Sequence, residues 1–176
     1  YAVLPAADAI QPRDVVIVLN PNNPTALYHA PETLLALAQL LQEKNGWLIL
    51  DEAFMDATPE QSLLPLLADN ANVLVLRSLG KFFGLAGIRT GFILGNRDVQ
   101  MQLQTRLGPW AISHPAQWIA IQALQDTPWQ QRNIQQLQQH STQLLRILES
   151  VFPHASISAT PLFASVQQDG FSAQKW

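Results

Sequence analysis

A serine, a lysine and an arginine lie in one short segment, at Ser78, Lys81 and Arg89. The chain has three lysines, and the other two, at positions 44 and 175, lie beside polar residues or next to the last residue. Lys81 instead lies between an apolar run and two phenylalanines. We expect its amine to have little water around it, and loss of hydration favours the neutral, nucleophilic form of an amine. The alternative is an ordinary lysine in a surface loop.

Three apolar runs precede the polar motifs of the chain, and each predicts a strand. They cover residues 15–19, 47–50 and 73–76, and a helical pattern that begins with a proline separates the first two. Alternation of strands and helices predicts an α/β fold with a mostly parallel sheet. We expect the first strand to be buried on both faces, a short helix at 62–69, and a fourth strand at 90–94.

Helical patterns dominate the second half of the chain. They cover residues 98–107, 115–124 and 128–151, and the glutamines of the last pattern are typical of a solvated helix face. Residues 157–166 have the composition of strands and follow Pro153. The sequence therefore predicts the beginning of a second, smaller unit after the long helix.

Composition excludes several classes of function. A net charge of −3 and an isoelectric point near 5.7 give no basic surface for nucleic acid. No apolar run reaches the roughly 18 residues of a membrane span, and we expect no signal peptide. The absence of cysteine excludes disulfides and thiolate chemistry and is compatible with the cytosol. The four histidines form no close cluster, so we expect no metal site.

The polar side chains at the strand ends form a set that fits one ligand. Asn23 follows the first strand, Asp51 the second, and Ser78, Lys81 and Arg89 the third. The carboxyl ends of parallel strands meet at one edge of a sheet, where open α/β folds bind ligands. A lysine condenses with an aldehyde, a carboxylate keeps a pyridine nitrogen protonated, and a hydroxyl with a guanidinium holds a phosphate. Pyridoxal 5′-phosphate carries all three groups.

These motifs resemble those of the fold-type-I pyridoxal-phosphate enzymes, in the aminotransferase class I/II family. The resemblance rests on Asn-Pro-Asn-Asn-Pro-Thr at 20–25, Asp-Glu-Ala-Phe at 51–54 and Ser-x-x-Lys…Arg at 78–89. It extends over about residues 10–166. It implies a three-layer α/β fold with a mostly parallel sheet, which is the large cofactor-binding domain, followed by the start of a small α+β domain.

The resemblance also implies a role for each polar residue. Asn23 would hydrogen-bond the 3′-oxygen of the cofactor, and Asp51 would pair with its pyridinium nitrogen. Lys81 would bind the aldehyde and later move protons, whereas Ser78 and Arg89 would bind the phosphate. Asp51 and Lys81 are thus the catalytic candidates. Taken singly, Asn23 is equally well explained as a turn residue, Asp51 as a helix cap and Arg89 as part of a surface ion pair.

Three positions depart from the family pattern. Phe54 occupies a cofactor-binding position where many members carry a tyrosine, so one hydrogen bond to the 3′-oxygen is lost. Gly80 replaces a common serine or threonine, which puts one phosphate contact in doubt. Ala26 replaces the usual glycine after Asn-Pro-Thr.

Within the family, the sequence is most similar to two groups. Phe54, Trp110 and the stretches at 76–87 and 160–163 resemble the decarboxylases that act on L-threonine O-3-phosphate in cobalamin biosynthesis. The other group is the histidinol-phosphate aminotransferases, which usually carry tyrosine at the first two positions. The resemblance therefore implies loss of carbon dioxide from a phosphorylated amino acid, with amino transfer as the alternative. A non-catalytic pyridoxal-phosphate-binding module is a third hypothesis.

The resemblance further implies that the chain is a fragment, because members of the family are much longer. We expect a phosphate-binding helix start before residue 1, a substrate-binding arginine after residue 176, and little activity from the piece alone. Family members are homodimers, and a cytoplasmic location is expected. The implied boundaries are 1–126 for part of the large domain, 127–155 for a long interdomain helix and 156–176 for the beginning of the small domain.

Overall fold

The computed structural model describes residues 3–67 and 72–168. In these parts of the chain the main sheet has four strands in sequence order: β1 (Val15–Leu19), β2 (Trp47–Asp51), β3 (Val73–Ser78) and β4 (Gly91–Gly95). β1, β2 and β3 are parallel to one another, and β4 is antiparallel to β3. The prediction of an α/β fold with a mostly parallel sheet is therefore confirmed.

Four α-helices accompany the sheet: α1 (Pro31–Glu43), α2 (Arg97–Leu107), α3 (His114–Gln125) and α4 (Thr127–Val151). The last three begin at polar caps, because the side chains of Asn96, Ser113 and Asp126 accept hydrogen bonds from backbone amides of the first helical turn. Each predicted helix after residue 95 is present, with ends within a few residues of the sequence pattern.

The core lies between α1 and the first three strands. Leucines of α1 pack against alternate residues of β2 and β3, and these side chains are almost completely removed from water. Burial of this apolar surface is the main source of stability for the unit that positions the strand ends. The cluster comprises Ile10, Val18, Leu34, Leu37, Ala38, Leu41, Leu48, Leu50, Leu63, Val73 and Val75.

The prediction that the first strand is buried on both faces is wrong. Val15 and Ile17 are 56% and 55% exposed, whereas Val18 on the opposite face is buried. β1 is the edge strand of the described sheet, so its apolar composition reflects strand propensity on one face and core packing on the other.

The helix predicted at 62–69 is also wrong over the part that the structure describes. Residues 55–66 form three short 3₁₀ turns, Met55–Ala57, Pro59–Gln61 and Leu64–Leu66. The carboxylate of Glu52 accepts hydrogen bonds from Ser62 Oγ and Leu63 N, which holds the backbone in place without a helix. Residues 68 and 69 lie outside the described residues.

A two-stranded antiparallel hairpin follows α4, with β5 at Ser156–Ala159 and β6 at Ala164–Gln167. The strands expected from the composition of residues 157–166 are thus confirmed. Residues 169–176 of the predicted small domain lie outside the described chain. No helix in the described ranges is both long and apolar enough to cross a membrane.

Candidate active site

The three strand ends bring their polar motifs to one edge of the sheet. Asp51 ends β2, where it is in register with Leu19 of β1 and Leu76 of β3. The amide of Asn20 donates to the carbonyl of Asp51 at 2.9 Å, so the loop that carries Asn23 begins beside this carboxylate. Ser78 ends β3. The topology therefore places the motifs on neighbouring strands, as the sequence predicted.

Asp51 is half-buried and has one carboxylate oxygen available. Its Oδ1 atom accepts a hydrogen bond from the amide of Ala53 at 3.0 Å, which shapes the turn that carries Phe54. Its Oδ2 atom has no hydrogen-bond partner among the described residues. The turn thus fixes the carboxylate and leaves it an acceptor for another group.

Lys81 is exposed, so the expectation of an amine with little water around it is wrong. The neighbouring Phe82 takes the inward position and is 5% exposed, which directs the lysine the other way. The ammonium nitrogen of Lys81 lies 5.0 Å from the centroid of the Phe54 ring. This contact brings the lysine to the turn that follows Asp51. Within the described residues, Nζ has no hydrogen bond or ion pair.

The loop that carries Lys81 is braced by aromatic side chains. The rings of Phe82 and Phe83 lie 4.9 Å apart, and both contact Trp129 in the first turn of α4. The side-chain amide of Asn133, one turn further along α4, donates to the carbonyl of Phe82 at 3.1 Å. The backbone beside Lys81 is therefore fixed even though its amine is solvated.

Ser78 and Arg89 line the same small cavity, of about 180 Å³, which Gly80 and Thr90 also line. Ser78 Oγ accepts a hydrogen bond from the amide of Gly80 at 3.1 Å. Arg89 has a left-handed backbone (φ 53°), and one guanidinium nitrogen donates to the carbonyl of Ala86 at 3.1 Å. A hydroxyl and an exposed guanidinium around one cavity are suited to an anion such as a phosphate.

Asn23 is exposed and has no hydrogen bond among the described residues. Its loop is held by other asparagines: Asn20 exchanges two hydrogen bonds with the backbone of His29, and Asn22 donates to Thr25 Oγ1 at 2.6 Å. Ala26 has φ 59°, a conformation that glycine adopts without steric cost, which explains why glycine is usual there.

An ion-pair network missed in the sequence lies beneath this edge. Glu52 is fully buried, and its Oε2 atom is 2.8 Å from Nη2 of Arg77. Arg77 Nη1 lies 2.7 Å from Oδ1 of Asp56, and Ser62 Oγ donates to Glu52 at 2.7 Å. Burial raises the pKa of Asp56, and Arg77 opposes this shift while the negative charge of Glu52 adds to it. The network joins the ends of β2 and β3.

The sequence did contain a signal for this network. Glu52 and Arg77 are opposite charges directly beside Asp51 and Ser78, at the ends of two strands already predicted to be neighbours. Successive residues of a strand point to opposite faces, so the neighbour of an open site residue has to be accommodated inside the protein.

Trp110 is 78% exposed, and its ring lies 5.8 Å from that of His114. No contact in the described structure joins it to the residues at the sheet edge.

The fold and the site together define the class of protein. It is an α/β domain whose sheet edge carries a free lysine amine, a strand-end carboxylate and a cavity lined by a serine and an arginine. The chain belongs to the aminotransferase class I and II family, whose model matches residues 2–166. Enzymes of this family depend on pyridoxal 5′-phosphate, so the cofactor prediction is confirmed at the level of the family.

Curated relatives include members of both groups that the sequence indicated. The threonine-phosphate decarboxylase of Pseudomonas aeruginosa is 46% identical over 135 residues, which are 77% of this chain and 40% of the relative. A histidinol-phosphate aminotransferase of Vibrio vulnificus is 38% identical over 112 residues, 64% of this chain and 32% of the relative. The chain thus spans 40% or less of the length of these relatives.

Solved structures show the same fold. The histidinol-phosphate aminotransferase from Clostridium acetobutylicum matches 92% of this chain and 50% of its own, with a TM-score of 0.82 at 25% identity. The enzyme of that name from Sinorhizobium meliloti, in complex with pyridoxal 5′-phosphate, matches 86% of this chain and 41% of its own, with a TM-score of 0.76 at 26% identity.

The residues at the sheet edge fit this cofactor. Lys81 Nζ, Asp51 Oδ2 and the amide of Asn23 have no hydrogen-bond partner within the described residues, and they match the aldehyde, ring nitrogen and 3′-oxygen in chemical type. Ser78 and Arg89 already share a cavity. Phe54 cannot hydrogen-bond, and its ring lies beside the lysine instead.

Proposed function

We propose that the protein carrying this chain is a cytoplasmic enzyme that decarboxylates L-threonine O-3-phosphate with pyridoxal 5′-phosphate. The product would be aminopropanol phosphate, for cobalamin biosynthesis. One observation carries the proposal: an unpaired lysine amine lies beside the Asp51 turn, at the same sheet edge as a serine–arginine cavity. The 46% identity to a threonine-phosphate decarboxylase supports the choice of reaction.

The bound cofactor supplies an electron sink for the electron pair left when a bond at the substrate Cα breaks. Lys81 would hold the aldehyde carbon through Nζ, yield it to the substrate amine, and then carry a proton on the same nitrogen. Asp51 would keep a proton on the ring nitrogen through Oδ2. This carboxylate is suited to the role because the Ala53 amide fixes it through the other oxygen.

Ser78 and Arg89 would bind the cofactor phosphate, and Asn23 would donate to the 3′-oxygen. Phosphate binding by a hydroxyl and a guanidinium positions the ring without entering the reaction, so these residues would act through affinity and orientation. Because Phe54 offers no donor, Asn23 would be the hydrogen-bonding side chain for the 3′-oxygen within this chain.

The second candidate is a histidinol-phosphate aminotransferase, which the identity of 38% and the structural matches favour. Phe54 and Trp110, where that group usually carries tyrosine, argue for the decarboxylase. The third candidate is a cofactor-binding module without catalysis. It would hold pyridoxal 5′-phosphate at Lys81 and turn over neither substrate.

The assay uses the protein as its gene encodes it, including any sequence that flanks these 176 residues. Release of carbon dioxide from L-threonine O-3-phosphate is expected, without amino transfer from histidinol phosphate to 2-oxoglutarate. Borohydride is expected to fix the cofactor to Lys81, and Lys81→Ala to abolish both the adduct and turnover, whereas Lys44→Ala retains them. Amino transfer without carbon dioxide would replace the proposal with the second candidate. An adduct without turnover of either substrate would leave the third.

We also propose the domain organisation implied by the sequence, with a large domain to residue 126, a long helix at 127–155 and a small domain from 156. α4 occupies most of the middle range. A homodimer is part of the proposal, and the exposed apolar side chains of Trp110, Trp118 and Ile121 on and beside α3 support it. Sedimentation of the encoded protein should give twice the monomer mass, and a monomer that retains full activity would contradict the dimer.

A further inference from the structure

The turn between β5 and β6 is tightly held by Thr160. This residue is 3% exposed, and its Oγ1 atom accepts hydrogen bonds from the amides of Leu162 and Phe163, both at 3.1 Å. The amide of Thr160 donates to the carbonyl of Phe163 at 2.8 Å. These hydrogen bonds within the turn fix the backbone at Phe163, so the hairpin determines the position of the Phe163 side chain.

The long helix α4 connects this turn to the loop that carries Lys81. Ser141 Oγ donates to the carbonyl of Thr160 at 3.0 Å, and Asn133 donates to the carbonyl of Phe82 at 3.1 Å. Positions 133 and 141 are separated by about two helical turns, or roughly 12 Å along the axis. One helix therefore holds both the hairpin and the lysine loop.

Phe163 reaches the lysine site from the hairpin side. Its ring lies 5.1 Å from that of Phe54 with an angle of 68° between the planes, which is an edge-to-face arrangement. Such pairs have a preferred geometry, so Phe163 restrains the orientation of the Phe54 ring. The same Phe54 ring lies 5.0 Å from Lys81 Nζ, and a ring face attracts an ammonium ion more than a neutral amine.

We propose that Phe163 is a positioning residue that controls the reactivity of Lys81 by orienting Phe54. Its effect requires no contact between Phe163 and the amine. The inference rests on the proposed function only in giving Lys81 the role of the cofactor-binding amine. It extends that function by making the hairpin of β5 and β6 part of the lysine site, since displacement of this hairpin would change the surroundings of the Lys81 amine.

The test measures lysine acetylation in the encoded protein after removal of the cofactor. The described chain offers Lys44 as an internal reference, because its amine is held by the carbonyls of Ala7 and Ile10. Phe163→Ala is expected to raise the acetylation rate of Lys81 about two- to five-fold, through loss of the cation–ring contact, and to leave Lys44 unchanged. Peptide mass spectrometry gives both rates in one sample.

Two further variants separate positioning from general loosening. Phe54→Ala should give the same rise, and the double variant Phe54→Ala with Phe163→Ala should give no further rise, because the second residue acts through the first. Val166→Ala shortens an exposed side chain on the same hairpin and should leave Lys81 at the wild-type rate.

Phe163→Leu keeps apolar bulk at the turn and tests the same idea if the alanine variant fails to fold, as circular dichroism would show. It should also raise the rate at Lys81. Wild-type rates in Phe163→Ala and Phe163→Leu would overturn the inference, and so would equal rises at Lys44 or in Val166→Ala. A protein without a cofactor adduct at Lys81 would refute the proposed function but would leave this measurement valid.

Discussion

Neighbouring residues at the ends of β2 and β3 have opposite surroundings. Glu52 and Arg77 lie inside the protein, with side-chain exposures of 0% and 14%, and form an ion pair with further hydrogen bonds. Asp51 is half-buried and Lys81 is exposed, and each retains a polar atom without a protein partner in the described chain. On the buried side both terminal nitrogens of Arg77 are paired, and among the described residues only its buried Nε atom lacks a hydrogen-bond partner in this network. On the open side the atoms suited to a ligand are unpaired.

This difference assigns separate tasks to the two sides. The pair between Glu52 and Arg77 connects two strand ends and fixes their spacing, and a buried charge that loses its partner is costly. The open side has less to lose in stability, because Lys81 is exposed and Oδ2 of Asp51 has no protein partner in the described chain. We therefore expect substitutions on the buried side, at Glu52 and Arg77, to act on folding. Substitutions on the open side, at Asp51 and Lys81, should act on cofactor binding and activity.

The largest expected effect is on the buried side. Glu52→Gln should lower the free energy of unfolding by about 3–5 kcal/mol, because it removes the charge that faces Arg77 and one acceptor for Ser62. Asp51→Asn, one residue away, should change it by less than about 1 kcal/mol while greatly reducing activity. Urea unfolding of the two variants under one set of conditions makes the comparison. Equal losses of stability would contradict the division into two sides.

The sequence predicted the framework of this edge because its signals are local. Apolar runs define β2 and β3. The polar motifs begin at the last residue of each strand, at Asp51 and at Ser78. The exposure of Lys81 was predicted wrongly because the apolar neighbours that suggested burial were themselves directed inward. The direction of a side chain in a loop depends on packing, here of Phe82 against Phe83 and Trp129, which local composition does not specify.

The contact between Phe54 and Phe163 was beyond local reasoning for a different reason. It joins residues on different elements that are far apart in the chain, and neither motif indicates the other. The roles of all the proposed site residues stay predictions: Asn23, Asp51, Phe54, Ser78, Lys81 and Arg89.

The next effect concerns the phosphate cavity on the open side. Arg89→Gln should weaken cofactor binding by roughly 10- to 100-fold, because a charge-assisted hydrogen bond contributes about 1.5–3 kcal/mol. Stability should be almost unchanged, since Arg89 is exposed. Arg106→Gln, which removes an exposed arginine from α2, is the matched control and should bind with wild-type affinity. Fluorescence titration of cofactor-free protein measures both, and equal affinities for the two variants would remove Arg89 from the site.

A smaller effect is expected from Ser78→Ala. The hydroxyl accepts a hydrogen bond from the amide of Gly80 and lines the same cavity as Arg89. Its removal should weaken cofactor binding by about three- to ten-fold, since a neutral hydrogen bond contributes about 0.5–1.5 kcal/mol. Ser150→Ala removes a hydroxyl near the end of α4 and serves as the control. A loss as large as that of Arg89→Gln would show that Ser78 also shapes the loop.

The smallest predicted effect is the contribution of Asp56, on the buried side, to the pH dependence of stability. Burial raises the pKa of Asp56 above its ordinary value of 3.8, and Glu52 adds to the shift while Arg77 opposes it. A raised pKa in the folded state means that the folded protein retains a proton which the unfolded chain has already lost. The contribution of Asp56 to stability is therefore greatest below pH 3.8 and falls as the pH rises through its folded pKa.

Asp56→Asn removes this titration and keeps a side chain of the same shape beside Arg77. Wild type should lose stability relative to the variant as the pH rises from the ordinary carboxyl pKa through the raised one, and the difference should stay within about 1 kcal/mol. Urea unfolding over a pH series gives the difference, in which the titration of other carboxylates cancels. Parallel stability curves for wild type and Asp56→Asn would show that Arg77 offsets the desolvation of Asp56. Titration of Asp56 would then make no contribution to the pH dependence of stability.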